Sequence, residues 1–493
     1  MRIYKSLLIC ALILLIFAAA VVMPQTGKQG SDAKKKSLGE AIIEKLPTPP
    51  LRWSPPEVGK DVQRKTLPNG ITLYLKEDHS LPLINVAGRF RGGQLYESPS
   101  QEGLAGLTAT LMRTGGTKEM PAQKVDESLD YISANIASSA DQETLSMVMN
   151  ATSKDFGEAL KIYADIIMNP AFPDDRLNFE KEQIKQGIIR RNDNPTRVAA
   201  REFTRLIYGE HPYGRDADWQ KIKTLKREDV VAWHDKYYVP NNAWFGITGD
   251  FNTDELIANL EKAFAGWEKK PFALPVPPKV QTGAKPGIYV VNKAGNQSAI
   301  DFGHLGVDRN NPDIYAIAVM NYILGGGGFA SHYTQEVRDK AGLAYTVNSQ
   351  FDTSSLEAGA FTSVVQTKTE TTYQALALML KLINQMRTEP LSEEEFQSAK
   401  QSIMSGYVRT FGSLAGTVNL LMNLEVIGRD PNYYKNYLTN INKVTKADVE
   451  RVAKTYLKPD QLVFVVVGNS AAFNDQLKAI AEVQSLELRP FVD

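Results

Sequence analysis

The segment "IKTLKREDVVAWHDKYYVPNNAWFGITGD", Ile222–Asp250, returns later in the chain as "INKVTKADVERVAKTYLKPDQLVFVVVGN", Ile441–Asn469. Ile222 pairs with Ile441, Asp229 with Asp448, Pro240 with Pro459 and Gly249 with Gly468, every pair 219 residues apart. Each copy reads as a helix, a proline-marked turn and an apolar β-run ending in glycine. The starts of the two copies echo one another as well. "LPNGITLYL" at Leu67 and "KPGIYVVNK" at Lys285 are both a turn followed by a strand. A chain of 493 residues exceeds what one hydrophobic core supports, and the repeat says how it is divided: one domain, written twice.

Working outward, alternating patterns such as "LINVAGRFRGG" (Leu83–Gly93) mix with helical patterns such as "SKDFGEALKIYADIIMNPAF" (Ser153–Phe172). Strands and helices do not alternate strictly, which argues against a doubly wound parallel sheet. The expected fold class is α+β: two homologous domains from an internal duplication, each an antiparallel sheet covered by helices. The expected divisions are a signal peptide or N-terminal anchor at 1–25, a tether at 26–61, and an N-terminal domain at 62–270. A proline-rich linker at 271–284 and a C-terminal domain at 285–493 complete the chain.

The N-terminus "MRIYKSLLICALILLIFAAAVVMPQTG" places Arg2 and Lys5 before an apolar run from Leu7 to Met23, a secretory signal pattern. The run is also near the lower length limit for a membrane anchor. An exported, periplasmic protein is expected, held or not at the inner membrane by this segment. Cys10, the only cysteine, lies inside the run. A processed chain would have no disulfides, thiol catalysis or cysteine-bound metal. Lys and Arg number 56, as do Asp and Glu, so no field favours nucleic acid as a partner.

From about Val62 to the C-terminus the chain resembles the pitrilysin/insulinase family of zinc peptidases, which includes the mitochondrial processing peptidases. The resemblance rests on "LPNGITLYLKEDHSLPLINV", "GGQLYESPSQEGLAGLTATLMRTGGT", "HPYGRD", "GDFNTDELIANLEKAF" and "LGGGGFASHYTQEVRDKAGLAYTV", found in family order. It implies two homologous α+β domains per chain, in agreement with the repeat. It also implies a zinc site built on His-x-x-Glu-His, two imidazoles binding metal while the glutamate activates water. Here that helix reads "EGLAGLTATLMRTGGT", Glu102–Thr117. Aligned from Gly-Leu-Ala, the motif falls on Gly106, Ala109 and Thr110; aligned back from Gly-Thr, it falls on Leu107, Thr110 and Leu111. The family's third ligand, a glutamate in "FEKEQIKQGIIRRNDNP", falls on Gly187, seven residues after Glu180. All four roles lack a histidine or carboxylate. His79, His211, His234, His304 and His332 show no ligand spacing, so no metal is expected in this chain.

The second copy keeps what the first has lost. Its glycine-rich turn, Gly325, Gly326, Gly327 and Gly328, is followed by Arg338 and Tyr345. The resemblance implies that this pair clamps a carbonyl of the substrate peptide. Arg338 also precedes Ala341-Gly342, so it could complement the carbonyl end of a helix that Gly342 stops. The four glycines lack a following Lys-Ser/Thr and open no Rossmann unit, which argues against a phosphate cradle. In "SANIASSADQETLSM" (Ser133–Met147), Ala137–Ser139 correspond to the edge where relatives add the substrate as a strand.

The implied function is a catalytically silent subunit that supplies Arg338 and Tyr345 to a homologous, zinc-bearing partner acting on unfolded peptides. Zinc would then belong to the partner. The alternative is a non-enzymatic peptide-binding or scaffold protein of the cell envelope.

Overall fold

The computed structural model describes residues 53–281 and 283–493. The signal or anchor segment, Cys10 and most of the tether lie outside the described residues. Two six-stranded sheets organise the rest. The first is built from β1 (Gln63–Thr66), β2 (Thr72–Glu77), β3 (Leu83–Arg91), β4 (Asn135–Ala140), β5 (Thr144–Thr152) and β6 (Ala243–Gly249), in the order β1-β2-β6-β3-β5-β4. The second is built from β7 (Gly287–Asn292), β8 (Gln297–Leu305), β9 (Ala344–Phe351), β10 (Ala360–Lys368), β11 (Val463–Gly468) and β12 (Val483–Ser485), in the order β12-β7-β11-β8-β10-β9. Five strands of one sheet thus repeat in the other. The sheets are mixed rather than purely antiparallel. β2 runs parallel to β6, and β7 parallel to both β11 and β12. The last strand of each repeat closes back beside the first, a pairing that period-2 patterning leaves open.

The first copy carries α-helices α1 (Leu104–Thr114), α2 (Ala122–Tyr131), α3 (Phe156–Met168), α4 (Asp174–Ile189), α5 (Pro195–Tyr208), α6 (Arg227–Tyr237) and α7 (Thr253–Ala263). The second carries α8 (Ile314–Asn321), α9 (Thr372–Thr388), α10 (Glu393–Tyr407), α11 (Leu414–Val426), α12 (Tyr433–Lys443) and α13 (Lys446–Tyr456). Only α-helices of eight or more residues are numbered. α4, α5 and α6 begin 219 residues before α10, α11 and α13. The repeat extends to single side chains. Lys181 on α4 is buried and donates to the carbonyls of Lys223 and Leu225. Lys400 on α10, 219 residues on, is buried and donates to the carbonyls of Asn442 and Val444 at 2.8 and 3.0 Å. Each ammonium closes the carbonyls of the turn that leads into the duplicated helix. Lys181→Met and Lys400→Met should therefore destabilise by similar amounts, about 1–3 kcal/mol each, as those carbonyls lose their donor. Urea unfolding of the two variants checks this.

Each sheet packs its own helices on one face, and the other face takes a helix from the opposite copy. α5, from the first copy, lays Val198, Ala199, Phe203, Leu206 and Ile207 on Val291, Ala299, Val463, Val465 and Val467 of the second sheet. α11, from the second, lays Val418, Leu421, Met422 and Val426 on Tyr74, Ala87 and Trp244 of the first. This exchange makes Ser54–Asp493 one unit. Polar contacts lock it. Glu425 accepts two hydrogen bonds from Arg64, at 2.8 and 2.7 Å, and one from Tyr74. Burial alone would raise its carboxyl, but those hydrogen bonds prevail and hold it down at about 2. Arg91 donates to the carbonyls of Glu425 and Val426 and covers the Trp244 ring.

Asp301, on β8 in the second sheet, is the exception to good pairing. It is 5% exposed, its Oδ1 has no hydrogen-bond partner, and burial raises its carboxyl to about 7. The folded value lies above the unfolded one of 3.8. Its contribution is therefore most favourable below pH 3.8 and declines as pH rises towards 7. Above that it is a constant penalty of roughly 4 kcal/mol. Asp301→Asn should raise stability at pH 8 by a few kcal/mol and gain much less at pH 5, measured by denaturant unfolding at both values.

Candidate peptide-contact site

The helix that should carry a zinc motif, α1, is held at both ends. Glu97 accepts from the backbone N–H of Gly103 (3.0 Å) and Ala105 (2.7 Å), closing the helix N-terminus with a carboxylate. Burial raises that carboxyl to about 7 against the lowering effect of the two N–H groups. At the far end Gly116 has φ +76, which explains the glycine before Thr117. Leu104, Ala105, Leu107, Ala109, Leu111 and Met112 are buried, whereas Gly106 and Thr110 lie on the open face. Leu107 and Leu111 are core residues, so the register starting at Gly106 is the more open of the two, with Gly106 and Thr110 on the open face and only Ala109 buried.

α4 runs antiparallel to α1. Thr114, at the end of α1, donates to Glu180 on α4 (3.1 Å), while Ile222 lies beside Gly103 at the start of α1 and packs with Ile188 at the end of α4. Gly106 and Gly187 are therefore at similar heights, and a Cβ added to either would meet nothing within 4 Å. Space for ligands survives, but the donors do not. Glycine, alanine and threonine supply no imidazole or carboxylate, so these residues do not fit a zinc ion. Glu180, the one acidic residue retained from the pattern, is committed to Thr114 and to Arg176 (2.7 Å).

The histidines are occupied elsewhere. His304 accepts at Nε2 from the backbone N–H of Lys458 (3.1 Å) and donates from Nδ1 to the Leu305 carbonyl (3.0 Å). Burial lowers it to about 4. His211 bridges the Pro278 carbonyl and the Tyr213 N–H, His234 meets the Ile167 carbonyl, and His79 pairs with Asp250. His332 pairs with Glu395. Among the described residues no group of three or more His, Cys, Asp or Glu could hold a metal ion.

Arg338 and Tyr345 come together. Arg338 stands on a π-helical run, Tyr333–Lys340, anchored from beneath by Tyr333, whose hydroxyl meets Ser363 Oγ at 3.0 Å. Such widened turns often mark functional sites. Gly342, at φ +63, stops the run, its N–H donating to the Arg338 carbonyl (3.1 Å). The glycine stop is thus present, but the guanidinium is not spent on the helix end. It lies 4.9 Å from the Tyr345 ring centre and 5.0 Å from that of Phe329. Its charged neighbour among the described residues is Asp339, at 3.8 Å.

Tyr345 is aimed by a bulge. Gln366 pairs with Thr346 but Thr367 pairs with Ala344, so Tyr345 is the extra residue on β9. It is 83% exposed. Sequence reasoning missed both the bulge and Phe329, although an aromatic directly after four glycines was the available signal. The glycine turn delivers Phe329. A Cβ on Gly325 would lie 2.5 Å from Ser349 Oγ, and Gly328 has φ +58.

Both sheets end in an edge that is partly closed. Asp141 N–H bonds to the Thr144 carbonyl, and the antiparallel alternation then turns Ile136, Ser138 and Ala140 outward from β4. Arg113 Nε donates to the Ile136 carbonyl at 2.8 Å. On β9 the Ser349 carbonyl accepts from Asn321 (3.3 Å). Among the described residues, the β4 edge that Ala137–Ser139 mark is left open at Ser138 and Ala140. A strap closes the neighbourhood of Gly187: Asp493 pairs with Lys185 (2.7 Å) and accepts from Trp219 (3.1 Å), while Phe491 packs on Ile188 and Trp219.

Residues 74–217 match the family described as insulinase (peptidase family M16), and residues 224–403 match the peptidase M16 inactive domain. An uncharacterized zinc protease of Rickettsia bellii is 27% identical over 347 residues, spanning 69% of this chain and 81% of its own. A Helicobacter pylori protein named non-peptidase homolog YmxG is 23% identical, over 81% of this chain and 92% of its own. Among solved structures, a peptidase M16 inactive domain from Pseudomonas fluorescens superposes with a TM-score of 0.73 at 24% identity, covering 83% of this chain and 98% of that one. The periplasmic protease PqqL of Escherichia coli superposes with a TM-score of 0.70 at 15% identity, covering 92% of this chain and 50% of that one. With two such copies and glycine, alanine and threonine where zinc-binding residues would stand, the chain belongs to the inactive type of the M16 insulinase peptidase family.

Proposed function

We propose that this chain is the non-catalytic subunit of a two-component M16 peptidase, lending Arg338 and Tyr345 to a homologous partner that holds the zinc. The observation that carries the reading is the asymmetry between the two copies. The first has no metal donors at Gly106, Ala109, Thr110 and Gly187, while the second presents a guanidinium and a phenol together at the surface. A half-buried guanidinium beside an exposed phenol, with donors left over, suits the oxygen of an extended peptide. Hydrolysis belongs to the partner, and this chain's part is to hold the peptide. The match to half of the longer PqqL chain supports a working unit larger than this chain. The N-terminal segment supports export to a periplasm-like compartment. A peptide-binding or scaffold role is the second reading, favoured by the open Ser138 and Ala140 positions of β4, which need no partner.

Gentle purification of the tagged chain from its own host tests the proposal. A stoichiometric homologue carrying His-x-x-Glu-His, with about one zinc per pair, is the expected result. Isolation of the chain alone and zinc-free would sink the peptidase reading and leave the peptide-binding one.

A further inference from the structure

Phe329 is 71% exposed, yet it is placed with care. It follows Gly328 at φ +58, and the turn before it is pressed against Ser349 at Gly325. A large apolar side chain displayed to water normally means that something covers it. Here its ring lies 5.0 Å from the Arg338 guanidinium, as the Tyr345 ring does at 4.9 Å from another element. The Arg338 side chain makes no hydrogen bond among the described residues. What restrains this long, flexible side chain is therefore two aromatic rings and a 3.8 Å contact with Asp339.

We infer that Phe329 is a positioning residue for Arg338. Its ring holds the guanidinium with its N–H edge free and forms the apolar wall against which an extended peptide lies while its main-chain carbonyl meets Arg338 and Tyr345. This rests on the reading of Arg338 and Tyr345 given above and adds a third residue to it. Stacking against the rings leaves the in-plane donors available and removes most of the rotamer freedom that Arg338 would otherwise lose on binding. The apolar wall favours unfolded polypeptides with a hydrophobic side chain beside the bound carbonyl. It also gives the four-glycine turn a purpose other than phosphate binding.

The test uses the full chain, with whatever partner it carries from its host, and reduced, carboxymethylated α-lactalbumin as a permanently unfolded probe. Two quantities are read: probe affinity by fluorescence anisotropy, and the Arg338 Nε–Hε resonance in arginine-labelled protein, assigned by its loss in Arg338→Lys. Phe329→Ala should weaken probe binding about tenfold and remove the ring-current shift of that resonance. Phe329→Tyr should restore both to within about twofold of wild type. Because Phe329 is mostly solvent-exposed, the alanine variant should fold normally, as circular dichroism would report. If Arg338→Ala weakens binding but Phe329→Ala does not, the inference fails and the Arg–Tyr reading stands. If Arg338→Ala has no effect, or the wild-type chain ignores the probe, the reading itself fails and takes the inference with it.

Discussion

Peptide cleavage by the assembled pair is expected to fall about 10²–10³-fold when Arg338 is replaced by alanine, while zinc content and assembly stay as in wild type. The size of the effect follows from what the side chain lacks. Its guanidinium is committed to no carbonyl or carboxylate in the described structure beyond the 3.8 Å contact with Asp339. Its intramolecular contacts are with Phe329 and exposed Tyr345, and stacking of this kind at the surface stabilises by only about 0.5–1 kcal/mol. A residue that contributes little to folding and still presents unused donors should show its role in catalysis instead. Arg338→Lys should recover little, because an ammonium cannot reproduce the planar fork. Tyr345→Phe separates the phenolic hydrogen bond from the ring that flanks Arg338 and should cost less than Tyr345→Ala. Steady-state cleavage of an unfolded polypeptide, with zinc and subunit stoichiometry measured on the same samples, checks the set. Wild-type rates in Arg338→Ala would remove this pair from any account of the reaction.

Glu143→Ala is expected to destabilise the chain by about 3–5 kcal/mol, a large share of what holds a protein of this size folded. Glu143 lies between β4 and β5 in the first copy, and three groups converge on it. Tyr213 Oη donates at 2.8 Å, the backbone N–H of Leu356 donates at 2.9 Å, and Arg309 forms an ion pair. Arg309 and Leu356 belong to the second copy, so the carboxylate joins the two halves. Arg309 is 3% exposed and Glu143 18%. Removing the acid leaves a buried guanidinium without its counter-charge, and that desolvated charge sets the cost. Replacing both partners, as Glu143→Leu with Arg309→Met, should restore much of the loss, since no unpaired charge remains. Guanidinium unfolding of the single and double variants decides the matter. A single-variant loss below about 1 kcal/mol would mean that water reaches Arg309 and that the exchanged helices alone hold the copies together.

Much of the molecule was legible because it is local or repeated. The 219-residue offset is a property of the string and persists in the starts of α4, α5 and α6 against α10, α11 and α13. That the chain has no imidazole or carboxylate at Gly106, Ala109, Thr110 and Gly187 was legible too, since that is a property of the string whatever the fold. Which register faces outward was not legible, because both alignments satisfy the pattern. Burial separates them: Leu107 and Leu111 are both buried in one register, whereas Ala109 alone is buried in the other.

What tertiary structure alone decided depends on contacts between elements far apart in the chain. The period of α5 announces an apolar face but not that the face belongs to the other copy's sheet. Hydrophobic burial is non-directional, and any complementary surface within reach satisfies it. The same holds for α11, for the parallel pairing of β2 with β6, and for Glu143, whose partners lie up to 213 residues away. Phe329 is the sharpest case. By sequence it is one aromatic after a glycine run. It becomes part of a site because a turn that tolerates φ +58 carries it to Arg338, and a one-residue bulge turns Tyr345 to the same guanidinium. Composition and spacing determined which chemistry the chain has lost and which side chains it retains. Backbone conformation and long-range packing determined that those retained side chains meet.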